Sequence, residues 1–134
     1  MQNECVPLFR GGQPDLSGRA TAPIVAGTFV AIAGTPTSGP GLNTSTDGSD
    51  LQIVTATAAG DSLGVAATDA TTGALIPVLR PGNVVPMIAN GAITAGQRVE
   101  VGTGGKPRVL ASGIARGKAT TTAADTATVY IEII

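Results

Sequence analysis

The residues best placed to hold a ligand are the glycines of segment 102–107, Gly102-Thr103-Gly104-Gly105-Lys106-Pro107. A glycine-rich loop that ends in lysine and opens a helix can wrap a phosphate in backbone amides. Here Pro107 follows Lys106 where a P-loop needs Ser or Thr, and Glu100 stands where its first glycine belongs. No helical periodicity follows. The dinucleotide pattern fails as well, because Pro107 takes its third glycine position. The segment is a hairpin turn.

The other chemistry-bearing residues form no constellation. The chain has no His, so the commonest general base and metal ligand is missing. Cys5 is the single cysteine, with no activating partner and no metal-ligand spacing, and reads as a small apolar residue. Asp47-Gly48-Ser49-Asp50 offers two carboxylates but lacks the ligand count of a calcium loop. The serines stand singly in turns, with no nucleophile elbow. Asn43-Thr44-Ser45 matches a glycosylation acceptor, which means nothing without secretion. The expectation is a protein that is not an enzyme and holds no cofactor and no metal. Six arginines outnumber two lysines, a balance that suits protein interfaces, although solvated surface explains any one of them.

The elements around these residues are strands. Segment 91–101 carries a turn on Ala95-Gly96 into a strand with Gln97, Val99 and Val101 on one face and Arg98 and Glu100 on the other, as a half-buried strand requires. Residues 28–33, 51–57, 62–68, 74–80, 84–89, 107–110, 113–119 and 127–134 read as further short strands between turn signals. Gly64 marks a strand that approaches another backbone closely, and Pro77 and Pro86 predict sheet edges or bulges. Val129, Ile131 and Ile133 face inward on the last strand. The fold class is all-β, a small barrel or sandwich of about nine short strands, in a single domain over residues 24–134 with a long loop at 35–50. Residues 1–23 read as an extended N-terminal arm. Its prolines and glycines forbid a long element, yet Val6, Leu8, Phe9 and Leu16 are too apolar for a free tail. The arm lies either along another surface or over its own domain.

The chain also repeats itself. Residues 24–31 line up with 93–100, with isoleucine three residues before the glycine and valine three after it. Gly64-Val65-Ala66 precedes Ile76 and Val78 as Gly117-Lys118-Ala119 precedes Val129 and Ile131. Each half therefore reads as turn-glycine, strand, turn, glycine-bearing strand, turn, closing strand.

Composition narrows the function classes. The 134 residues suffice for one domain, with 43% hydrophobic residues but only two Phe, one Tyr and no Trp. A core of Val, Ile, Leu and Ala buries less area per residue than an aromatic one, and oligomerisation is one way to gain more. A net charge of −1, no Lys/Arg cluster and few aromatics argue against nucleic acid. No signal peptide and no membrane-length apolar run is visible, so the expectation is a soluble protein that stays in the cytoplasm where it is made.

Leu63-Gly64-Val65-Ala66, then Gly73 and a Val/Ile/Leu strand, then the phrase Gly91-Ala92-Ile93-Thr94-Ala95-Gly96-Gln97-Arg98-Val99 with its glycine-rich hairpin, resembles the capsid decoration (cement) proteins of tailed bacteriophages. The resemblance runs over residues 20–134 and departs from the family at the long loop 35–50. It implies a virion protein on the outer surface of the head, a homotrimer that binds the major capsid protein and stabilises the shell without catalysis. On that reading Val6, Leu8, Phe9, Arg10 and Leu16 are the candidate capsid anchors, with strand addition as one mode. A tail or baseplate interaction module is the alternative, and a small enzyme or sugar-binding barrel a more distant one.

Overall fold

Glycine and proline punctuate this chain so often that its strands run three to six residues each. The computed structural model describes residues 4–8, 15–34 and 51–134. The loop expected at 35–50 lies outside the described residues. Among those described, all regular structure is strand except a 3₁₀ turn at Thr103–Gly105, where the hairpin turn was expected. The described residues form ten strands: β1 (Leu16–Ala20), β2 (Phe29–Gly34), β3 (Leu51–Thr55), β4 (Gly64–Ala66), β5 (Leu75–Leu79), β6 (Val84–Ile88), β7 (Arg98–Val101), β8 (Pro107–Val109), β9 (Gly117–Ala119) and β10 (Thr128–Ile133). The first five close into a barrel in the order β1-β3-β2-β4-β5, and the last five form a sheet in the order β6-β10-β9-β7-β8. The all-β barrel or sandwich is what the structure shows.

The two sheets are two copies of one plan. Lining up β2 with β7, β3 with β8, β4 with β9, β5 with β10 and β1 with β6 reproduces the registers. Leu16 faces Val78 as Val85 faces Ile131, and Val30 faces Gly64 as Val99 faces Gly117. Hydrogen bonds outside the strands match too. Gly27 N–H donates to Ala66 O (2.9 Å) as Gly96 N–H does to Ala119 O (2.8 Å). The isolated bridge Ile24–Ala70 has its twin at Ile93–Ala123. Gly73, at φ 89°, is matched by Thr126 at φ 66°. The glycines of β4 and β9 are needed for close approach, as expected at Gly64. A Cβ on Gly64 would lie 2.8 Å from Val78 Cγ1, and one on Gly117 would overlap Ile131 Cγ2 and stand 3.1 Å from Glu132 O.

One pairing separates the halves. In the first, β1 and β3 pair in parallel, Ala20 opposite Ile53, and close the barrel. In the second, contact between β6 and β8 shrinks to one bond just past β6, Asn90 N–H to Pro107 O (2.8 Å), the twin of Thr21 N–H to Ile53 O (2.9 Å). The opening holds parts of the first half. An ideal Cβ on Gly27 would lie 3.3 Å from Pro86 O, and one on Gly105 would lie 2.9 Å from Phe29 O. The first barrel packs its interior with Val30, Ile53, Ala66, Ile76 and Val78. The larger core runs through the second sheet and takes in Cys5, Phe29, Ala56, Val65 and Leu79 from the first half.

Three expectations change. Leu16–Ala20, placed in the arm, is a barrel strand that pairs on both sides. It hides from a pattern reading because Gly18 sits mid-strand, where Ile53 Cδ1 would be 2.8 Å from an added Cβ. Pro77 is not at an edge, since β5 runs between β1 and β4. It is tolerated because β4 ends at Ala66, so the missing donor falls just beyond the ladder. Glu100 does lie on the face opposite Val99 and Val101, but no part of it is exposed.

Candidate interaction surface and the junction between the halves

Residues 4–8 form a strap across the junction, and the prolines make its seat. Ala67 N–H donates to Pro77 O (3.1 Å), but proline has no N–H to return the bond to Ala67 O. That carbonyl accepts instead from Cys5 N–H (2.6 Å), and Glu4 bridges Thr68 beside it. In the second half the equivalent strand position is Tyr130, whose N–H goes to Thr121 Oγ1 (3.0 Å). Further along, the strap meets β6. Ala89 N–H donates to Ala127 O, so the polar groups of Val84 and Pro86 face the free edge of the sheet. Their carbonyls accept from Leu8 N–H (2.6 Å) and the Cys5 thiol (3.4 Å). Pro86 at an edge is as expected.

The strap alternates like a strand. Cys5 and Pro7 are buried, while Val6 and Leu8 are 61% and 52% exposed. Burial pushes the Cys5 thiol up to about 12, so it is a packing residue while the strap is seated. Of the five candidate anchors, the structure brings Val6 and Leu8 together on one outward face. Leu16 is instead half-buried against the interior of the first barrel. Phe9 and Arg10 lie outside the described residues. The arm wraps its own domain at residues 4–8, one of the two arrangements the sequence left open.

The junction also holds an ion pair whose carboxylate is fully buried. Glu100 on β7 faces Arg108 on β8 in register, and Arg108 Nε donates to Glu100 Oε1 (2.8 Å). The amides of Ala111 and Gly113 donate to Oε2. Burial alone would raise the carboxyl, but these hydrogen bonds and the Arg108 charge hold it below the usual carboxylate range. Ala59 of the first half, at φ 62°, caps this cluster and donates its N–H to Val101 O (2.8 Å). Arg116 reaches across to Asp61 (2.7 Å), and its Nε is buried without a partner. Sequence reading missed this cluster; its one trace was that Glu100 and Arg108 flank the 102–106 turn.

The outer row of each half completes the picture. Phe29, Val65 and Leu79 are successive partners across β2, β4 and β5, all with no exposure and all in the core shared with the second half. Their counterparts Arg98, Lys118 and Glu132 are successive partners across β7, β9 and β10; Arg98 and Lys118 are exposed and Glu132 is half-buried. Single apolar side chains elsewhere are exposed, including Val25, Ile32, Leu75, Ile88 and Ile114. Among the described residues no three His, Cys, Asp or Glu side chains gather to hold a metal. No described helix is long and apolar enough to cross a membrane. The arrangement offers contact surfaces.

No family model matches the chain, and no curated protein matches it. Among solved structures it is similar to the N base of head fiber gp8.5 in bacteriophage phi29. The TM-score is 0.67 at 20% sequence identity, over 90% of this chain and 92% of that one. At that identity the two share a fold.

Proposed function

We propose that this chain is a structural virion protein on the outer surface of a tailed-phage head, where it stabilises the shell by contact with the major capsid protein. The observation that carries the reading is the fold, common over nearly the whole chain with the base of a phage head fiber. The resemblance of 20–134 to capsid decoration proteins points the same way from the residues. Function resides in contact area rather than catalysis, with three copies meeting at a symmetric position of the head. Val6 and Leu8, fixed outward by the buried Cys5 and Pro7, are the anchors, continued by Phe9 and Arg10; Leu16 leaves the set because β1 needs it. A seated strap presents these side chains already ordered, which lowers the entropy lost on binding.

Antibody labelling of intact virions in the electron microscope tests the location. Label spread over the head supports the proposal, and label confined to the tail or baseplate overturns it. A Val6→Asp/Leu8→Asp variant keeps its fold, since both positions are exposed, and loses most of its affinity for capsids.

A further inference from the structure

The seat of the strap is a row of acceptors that the strap's own donors fill. Ala67 O, Val84 O and Pro86 O line up as acceptors along the end of β4 and the free edge of β6. Pro77 leaves the first carbonyl without its ladder donor, and Pro86 removes a donor from the edge itself. An edge whose carbonyls lack donors from its own sheet is a template for an extended peptide that brings N–H groups. Beneath it the open seam of the second sheet takes small side chains, Cys5 against Gly27 and Pro86. The site thus selects a segment with a donor and a small apolar residue at one position and an inward proline two residues on.

We propose that this edge is a strand-binding site, filled by Glu4–Leu8 of its own chain in the isolated protein and able to take the same segment from a second copy. The occupant is fixed by fit, since a second copy supplies the same Cys5 and Pro7 and the same two amides. Among the described residues the strap is held by two backbone N–H bonds, the Cys5 thiol's bond to Pro86 O, one bridge and two small buried side chains, with Val6 and Leu8 in solvent. Such a segment opens locally far more readily than the barrel unfolds. Exchange leaves the contacts the same in kind and number, which makes swapping a low-cost link between copies. The proposal does not depend on the capsid reading.

Cys5 is the single cysteine, so its labelling reports the strap directly. The probe is a fluorescent synthetic peptide of residues 1–10 carrying Cys5→Ala, added to the full-length protein. The expected result is saturable binding, with Cys5 labelling of the protein accelerating in step with occupancy as its own strap is displaced. A peptide carrying Cys5→Asp binds at least about tenfold more weakly, because it places a charge in the seam. No binding, binding that leaves Cys5 protected, or equal binding of the Asp peptide would each overturn the proposal. Labelling without peptide should proceed much faster than global unfolding; labelling only at the unfolding rate overturns it too.

Discussion

The first and second halves share most of a ladder of hydrogen bonds and differ most sharply in one row of side chains. Phe29, Val65 and Leu79 are sealed in the shared core, while Arg98, Lys118 and Glu132 line the matching row of the second half. The first half therefore has a face that must be covered, worth about 1.5–3 kcal/mol for each large side chain. The second half has a face built for water and an open seam that receives the first. Backbone pattern sets the plan of each half, and the outer row decides which half docks on the other.

The comparison breaks first at its centre. Val65→Lys, which copies the second-half residue Lys118, buries an unpaired charge and should cost about 4 kcal/mol or more, so that denaturant titration finds little folded protein. The reciprocal Lys118→Val should change stability by less than about 0.5 kcal/mol. Equal effects would mean that the rows are not the asymmetric element. Next come the glycines at equivalent places. Gly64→Ala and Gly117→Ala should each destabilise by about 1–3 kcal/mol through overpacking against β5 and β10. A harmless substitution at either site would show that the close approach is not required there.

The third contrast is Glu100, whose counterpart in the first half is Ala31. A carboxyl held below its ordinary value is stabilised in its charged form, so its contribution is present above the unfolded value near 4.5 and fades as pH falls below it. Thermal melts should therefore show wild-type stability dropping below pH 4.5, with Glu100→Gln less stable at neutral pH and flatter on the acid side. A variant with the wild-type acid profile would remove Glu100 as the cause. The smallest effect belongs to Thr126, in the left-handed region where the first half has Gly73. Thr126→Gly should gain up to about 1 kcal/mol from relieved backbone strain, read as a raised melting temperature.

Much of this plan was legible because strand alternation and turn glycines act locally. Val129, Ile131 and Ile133 point inward by their spacing alone, and Ile24 echoes Ile93 because both precede the same turn. What stayed hidden depends on distant partners. β1 looked like arm because the packing of Gly18 is supplied by Ile53. The burial of Glu100 was not legible because its cover comes from Ala59 of the other half and from residues 111–113. Phe29 and Arg98 occupy the same place in the repeat, and only the docking of the halves explains their opposite character. In the candidate surface, Val6 and Leu8 were readable as apolar residues in a segment that cannot be a helix. Their outward aim was not, because it follows from where Pro77 and Pro86 leave carbonyls open.

The proposal that this chain works on the outside of a phage head is tested most directly by co-sedimentation with purified, expanded capsids that lack it. Saturable uptake at a fixed number of copies per capsid, sharply weakened by Val6→Asp/Leu8→Asp, is the predicted result. Uptake that never saturates, or none at all, would contradict the account.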